Sequence, residues 1–210
     1  MFSCGFQSTS KPHATQGQGF QGFQGLGPAI GVASCETLRK FVGSSQAHRL
    51  SLKWPNDLML DEGKLAGILI ESQVRQDRPL LVVGMGLNLT GAASLSQDLQ
   101  RPVAALSELE PAPEEASWEI ADLVAALAQA WQETVNAMHV SGFETFLSRF
   151  DDVDFLHQKP VSVIEQEKTL FEGVAHGVNA HGALRVQTAH SIETITVGDV
   201  SVRLSARQSP

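Results

Sequence analysis

A change of periodicity near residue 155 constrains this chain more than any other feature. Upstream, residues 114–139 place Ile120, Leu123, Val124, Leu127, Trp131, Val135 and Met138 on one face at helical steps. Ser141 followed by Glu144 reads as a capping box that opens a further helix burying Phe143, Phe146, Leu147 and Phe150. Downstream the pattern is short strands, at Pro160–Glu165, Thr169–Val178, Ala183–Thr188, Ile192–Val197 and Val200–Leu204, with turns at Asn179–Gly182 and Gly198–Asp199. Five strands that close together fit a small barrel or sandwich. A unit of that size has a marginal core of its own, so it is expected to dock on the rest of the chain.

The segment before residue 114 mixes both patterns. Ile30, Ser34, Leu38 and Phe41 recur at helical steps behind Pro28, and Gly43 closes that helix. Leu50, Leu52 and Trp54 alternate with Ser51 and Lys53, which reads as a strand stopped by Pro55-Asn56-Asp57. Asp61-Glu62-Gly63 is a hairpin-type turn, Lys64–Glu71 a second strand, and Leu80–Leu89 a third whose apolar run predicts burial on both faces. Pro102–Leu109 reads as a short helix. Residues 1–27 hold six Gly and five Gln, and such a low-complexity stretch predicts an irregular lead-in. The resulting organisation is a lead-in over 1–27, an α+β domain over 28–157 with a mixed sheet packed by helices, and a small β-barrel over 158–210.

Charge and cysteine content exclude several classes of function. Residues 108–154 carry 11 acids and one base, so the net −8 of the chain is concentrated in one helical stretch and reads as a solvated face. No cluster of Lys and Arg exists to displace counterions from a nucleic acid, which argues against DNA binding. No apolar run is long enough to span a membrane, and no secretory leader is visible. Two cysteines, Cys4 and Cys35, read as reduced thiols and a cytoplasmic setting. The seven histidines show no metal-ligand spacing.

Three segments carry chemistry: Lys53-Trp54-Pro55-Asn56-Asp57, Lys64-Leu65-Ala66-Gly67-Ile68-Leu69-Ile70-Glu71 and Gly84-Met85-Gly86-Leu87-Asn88. Asp57 has the oxygen chemistry that magnesium prefers alongside substrate phosphates. Lys64 opens an otherwise apolar strand, so its ammonium is available to a carboxylate or phosphate. Gly67, Gly84 and Gly86 let a flat ligand approach the backbone, and the Asn88 amide suits the edge of an adenine. Each segment alone is weak, since Pro-Asn-Asp is commonly a turn, Lys-x-x-Gly a surface lysine, and Gly-Met-Gly a bulge without the third glycine of a dinucleotide fingerprint.

In this order the three segments resemble the biotin protein ligase family, whose pattern is K-W-P-N-D, then K-x-x-G-I-L-x-E, then G-x-G-x-N. Gly177–Leu184 and Gly198–Arg203 resemble that family's terminal SH3-like barrel, and the likeness runs from Pro28 to Leu204. It implies a class II synthetase-like catalytic domain. It also implies a ligase that joins biotin and ATP into biotinyl-5′-AMP, then passes the biotinyl group to a lysine of a biotin carboxyl carrier domain of a biotin-dependent carboxylase. By resemblance Lys64 and Asp57 are catalytic. Lys64, Gly67 and Gly84 bind biotin, Lys53, Asn56 and Asn88 bind ATP or the adenylate, and Asp57 serves Mg2+.

Family members also carry a G-R-G-R-R-G loop ahead of K-W-P-N-D, whereas this sequence has no arginine before Arg39. The expectation that follows is a catalytic domain lacking its first part, weakened adenylate binding, and self-association as a homodimer through an uncovered sheet edge. A second reading is a non-catalytic adenylate-binding paralogue. A lipoate ligase-like relative is a third, which the K-W-P-N-D run disfavours.

Overall fold

A computed structural model describes residues 1–7, 25–75, 78–109, 119–196 and 200–205. It contains two five-stranded sheets, one on either side of the change in periodicity. In chain order the first part holds β1 (Phe2–Gln7), α1 (Leu26–Phe41), the single turn α2 (Ser44–Ala47), β2 (Leu50–Lys53), β3 (Asp57–Leu60), β4 (Gly63–Arg75) and β5 (Arg78–Leu87). Next come α3 (Ala92–Leu99), α4 (Ile120–Ser141) and α5 (Leu147–Asp151). The second part is all strand: β6 (Pro160–Glu165), β7 (Lys168–Val178), β8 (Leu184–Gln187), β9 (Ile192–Ile195) and β10 (Val200–Leu204).

The first sheet runs β1-β5-β4-β3-β2, with every neighbouring pair antiparallel. Alternation along β5 sends Leu81, Val83 and Met85 into the core, whereas Val82 and Gly84 are half-buried and Gly86 is exposed. The expected burial on both faces of β5 is therefore corrected: among the described residues the helices cover one side of this sheet, so alternate residues meet different surroundings. On the covered side α1 is buried along most of its length, including Ala29, Ile30, Ala33 and Leu38. Ser34 and Thr37, which would otherwise be unsatisfied there, donate to the carbonyls of Ile30 (2.7 Å) and Ala33 (2.8 Å) one turn back. Helix α4 packs on α1 with Leu123, Leu127, Trp131 and Met138 facing inward, much as its periodicity predicts, although Ile120 is exposed.

Three further expectations are corrected. Residues 2–7 are not irregular: Phe2, Cys4 and Phe6 alternate with Ser3, Gly5 and Gln7, and the strand pairs with β5 from Phe2↔Met85 to Gln7↔Leu80. The Gly/Gln run over 8–24 and the start of the predicted 114–139 helix lie outside the described residues. Residues 102–109 are extended with one 3-10 turn at Leu106–Glu108, because Pro102 and Ala104 bond to Lys64 of β4 and Leu106 and Ser107 to Asn88 and Leu89 beyond β5. Ser141 opens no helix. It is the last residue of α4, which stops at Gly142 with φ 66°, and Phe143–Phe146 forms a 3-10 turn before α5. Phe143, Phe146 and Phe150 are buried as expected, whereas Leu147 is half-buried.

The second sheet runs β10-β6-β7-β8-β9, again antiparallel. It rests on the first part. The Trp54 indole N–H donates to the Gly182 carbonyl (2.9 Å) in a buried bond. Leu52 on β2 exchanges backbone bonds with Val153 and Phe155 (2.7 and 3.0 Å). Buried side chains of both sheets belong to one connected cluster, which is how so small a sheet gains a sufficient core.

Candidate functional site

The three motif segments converge on the uncovered face of the first sheet. Register places Lys53 opposite Asp57, Asp57 opposite Gly67, and Gly67 opposite Gly86, a row that crosses four strands on one face. Gly84 lies two residues from Gly86 on the same face, between Leu69 of β4 and Ser3 of β1.

Lys64 reaches this face through a break in register. Ala66, opposite Leu58, is buried on the helix side, and a regular strand would send Lys64, two residues earlier, to that side as well. Pairing shifts between Leu58 and Met59, so Lys64 falls opposite Met59 and Leu65 is the extra residue. A bulge of this kind re-aims a side chain. Leu65 and Ala66 both enter the core while the Lys64 ammonium turns outward and donates to Asp57 Oδ1 at 2.5 Å. Gly67 forms the floor beneath this pair: a Cβ there would lie 3.2 Å from the Lys64 Nζ and 3.6 Å from the Asp57 carboxylate.

Asn88 secures the pair from behind. Its amide nitrogen donates to the carbonyls of Lys64 and Ala104, both at 3.1 Å, and its backbone N–H donates to Leu65 O at 3.0 Å. Both amide hydrogens are thus engaged, leaving Oδ1 for a ligand. Asn56 is engaged similarly, with its Nδ2 on Ile68 O at 2.7 Å. It also borders a cleft of about 700 Å3 walled by Leu26, Ile68, Ile70, Leu81 and Gly182. That cleft involves the helix-covered side of β4. Of the sequence-predicted residues Asn56 alone reaches it, whereas Lys53, Asp57, Lys64, Gly67 and Gly84 share the open face and Asn88, just past the end of β5, bonds to the Lys64 backbone.

Lys53 is half-buried, and burial is the main cause that holds its ammonium below the usual lysine range. Asp57 opposes that shift, while the charges of Lys64, Arg203 and Arg101 reinforce it. Two cations that sequence reasoning missed therefore stand close to the row. Arg203 falls inside the Gly198–Arg203 stretch already noted. Arg101 sits just before Pro102, in a loop with no recognisable pattern.

The donor set does not suit a resident metal. Asp57 is the carboxylate in the row, its Oδ1 is held by Lys64, and three further cations stand nearby. Among the described residues no three His, Cys, Asp or Glu side chains group together.

The chain resembles known proteins in sequence and in fold. Residues 19–88 match the Biotin/lipoate A/B protein ligase family and residues 158–203 match the Biotin protein ligase C terminal domain, more than half of the chain together. The bifunctional ligase/repressor BirA of Escherichia coli is 29% identical over 180 residues, covering 85% of this chain and 53% of BirA. The biotin–[acetyl-CoA-carboxylase] ligase of Paracoccus denitrificans is 40% identical over 92 residues, covering 41% of this chain and 37% of that protein. The biotin protein ligase from Aquifex aeolicus in complex with biotin and ATP superposes with a TM-score of 0.72 at 21% identity, covering 97% of this chain and 78% of that one. The chain spans about half the length of the curated ligase/repressors it matches. It belongs to the biotin protein ligase family.

Proposed function

We propose that this chain carries the adenylate-handling face of a biotin–carrier protein ligase. The observation that supports this reading is the bare row Lys53, Asp57, Gly67 and Gly86, with Lys64 turned onto it by a bulge. Gly84 and Gly86 are required by neither backbone nor packing. Neither has a positive φ, and an added Cβ would meet nothing closer than 3.8 Å at Gly84 and nothing within 4 Å at Gly86. Glycine in a strand interior is unfavourable by roughly 0.5–1 kcal/mol relative to alanine. Its presence here is explained by a ligand that lies on the backbone. The exposed Leu69 beside them supplies apolar surface for biotin's ring system.

In the first step a biotin carboxylate oxygen bonds to the α-phosphorus of ATP, the bond to the bridging oxygen breaks, and pyrophosphate departs with that electron pair. Lys64 faces the place where negative charge gathers, and a fixed cation in a partly dry site stabilises that charge. Asp57 holds the ammonium in position. Lys53 and Arg203 face the phosphates, Gly67 and Gly84 floor the biotin site, and Asn88 frames the adenylate through its free Oδ1, whereas Asn56 borders the separate cleft. Any magnesium ion enters with the nucleotide rather than on a protein-built site. In the second step the amine of a carrier-domain lysine attacks the acyl carbon of biotinyl-5′-AMP, loses a proton, and AMP leaves.

The test is biotin-dependent pyrophosphate release by the full chain, followed by transfer to a biotin carboxyl carrier domain. Release of pyrophosphate that requires biotin, lost in Lys64→Ala, supports the reading. Binding of biotinyl-5′-AMP without turnover would favour the non-catalytic paralogue.

A further inference from the structure

We propose that Arg101 is the outer cation of the nucleotide site, facing the terminal phosphates that leave as pyrophosphate. This deepens, and rests on, the reading of the open face as an adenylate-forming site.

The placement of Arg101 follows from backbone bonds. The segment after α3 runs alongside the first residues of β4 without joining the sheet. Lys64 N–H donates to Pro102 O at 3.2 Å, and Ala104 N–H donates to Lys64 O at 3.0 Å. Ser96 Oγ donates to Val103 O at 3.2 Å and accepts from Val103 N–H at 3.0 Å. The Asn88 amide fixes Ala104 O from the other side. The peptide that carries Arg101 is therefore anchored to the residue that carries the Lys64 ammonium, with Pro102 stiffening the connection. The Arg101 side chain is exposed and has no carboxylate partner among the described residues, yet its charge is felt at Lys53.

Charge bookkeeping then assigns its partner. Asp57 is bonded to Lys64, so at Lys53 the charges of Arg101 and Arg203 add to that of Lys64 against the one carboxylate, Asp57. Like charges brought together this way are unfavourable until a polyanion arrives. The single phosphate of an adenylate is met by Lys64 and Lys53, the groups nearest the glycine floor. A guanidinium at the solvent edge gains most from charge further along the ligand, and its planar fork suits phosphate oxygens.

The experiment compares the full wild-type chain with Arg101→Ala and Arg101→Lys, titrating ATP, AMP and adenosine by calorimetry. Arg101→Ala is expected to weaken ATP binding about 10- to 100-fold, the range for a lost charge-assisted contact. AMP and adenosine should stay within about twofold of wild type, and Arg101→Lys should recover part of the loss. Unchanged ATP affinity in Arg101→Ala would overturn the assignment and leave the proposed function standing. A parallel fall for all three ligands would also overturn it, making Arg101 a structural residue of its loop. If the wild-type chain binds none of the three, the proposed function fails and the role of Arg101 goes with it.

Discussion

Alternate residues of the same strands live in two different environments. On the covered face of β4 and β5, Ile68, Val83 and Met85 are at most 3% exposed under the helices. Above them, Trp131 stacks on Phe2 at 5.1 Å and donates its indole N–H to Ser34 Oγ at 2.8 Å. One residue along, on the open face, Gly67, Gly84 and Gly86 show bare backbone, Leu69 is 62% exposed, and the charged side chains gather. The comparison separates what holds the fold from what does chemistry. Covered-face positions are close-packed and sensitive to volume. Open-face positions contribute little to folding, so their identity needs another explanation.

The largest expected effect belongs to the covered face. Trp131→Ala removes a fully buried indole together with its stacking and its hydrogen bond, and should cost about 3–5 kcal/mol. Urea unfolding measures it, and a loss below about 1 kcal/mol would mean that the two faces do not differ in the way described. Lys64→Ala comes next and should reverse the pattern. Biotin-dependent pyrophosphate release should fall on the order of 10²–10³-fold. Stability should change by less than about 1 kcal/mol, because the Lys64–Asp57 pair is partly solvated.

The covered face was the more legible in the sequence, for a physical reason. Burial by a continuous core imposes period 2 on β2 and period 3.6 on α4, and both are visible without knowing what they pack against. Strand β3 escaped notice because Leu58, Met59 and Leu60 are all buried, which hides alternation, and because Pro-Asn-Asp imitates a plain turn. Helix α3 left no trace since none of its residues is buried. The alternation of Phe2, Cys4 and Phe6 was there to be seen, but the glycine-rich composition around it pointed elsewhere. On the open face, the motif residues could be found because their spacing is local. Arg101 could not, since its neighbours Pro102 and Ala104 meet Lys64 through backbone bonds from a distant loop, and no local pattern encodes those bonds.

The junction between the two sheets offers a smaller effect that sharpens the comparison, because there a polar group sits in surroundings like those of the covered face. Asp154 Oδ1 accepts from Leu156 N–H at 2.8 Å, while Oδ2 is buried with no hydrogen-bond partner among the described residues. Burial pushes this carboxyl up to about 6, with Asp151 acting in the same direction and Leu156 N–H, His157 and Lys159 opposing. A folded-state value above the unfolded 3.8 means that the folded chain holds the proton more tightly. The stability this provides is present in full below about pH 4 and is lost as pH rises through 6. Asp154→Asn imitates the neutral acid. It should match wild type near pH 4 and exceed it by roughly 1–3 kcal/mol at pH 8, as read from urea midpoints at the two values. A variant less stable than wild type at pH 8 would show that the ionised carboxylate has a partner after all.

The smallest expected change in stability is the one that tests the open face most directly. Gly86 lies in β5 with ordinary backbone angles, and a Cβ there would have nothing within 4 Å. At Gly31 on α1, by contrast, a Cβ would lie 2.6 Å from Leu52 Cδ1, so glycine is demanded there by packing. Gly86→Ala should therefore leave the free protein unharmed, or stabilise it by up to about 1 kcal/mol, because alanine costs less backbone entropy in a strand. If a flat ligand rests on that backbone, the same methyl group occupies the ligand's place, and biotinyl-5′-AMP should bind at least tenfold more weakly, the factor that corresponds to about 1.4 kcal/mol. Thermal unfolding and equilibrium binding on one preparation measure both quantities. A variant that is as stable as wild type and binds the adenylate equally well would remove the reason for the glycine, and with it the argument that this face was kept bare for a ligand.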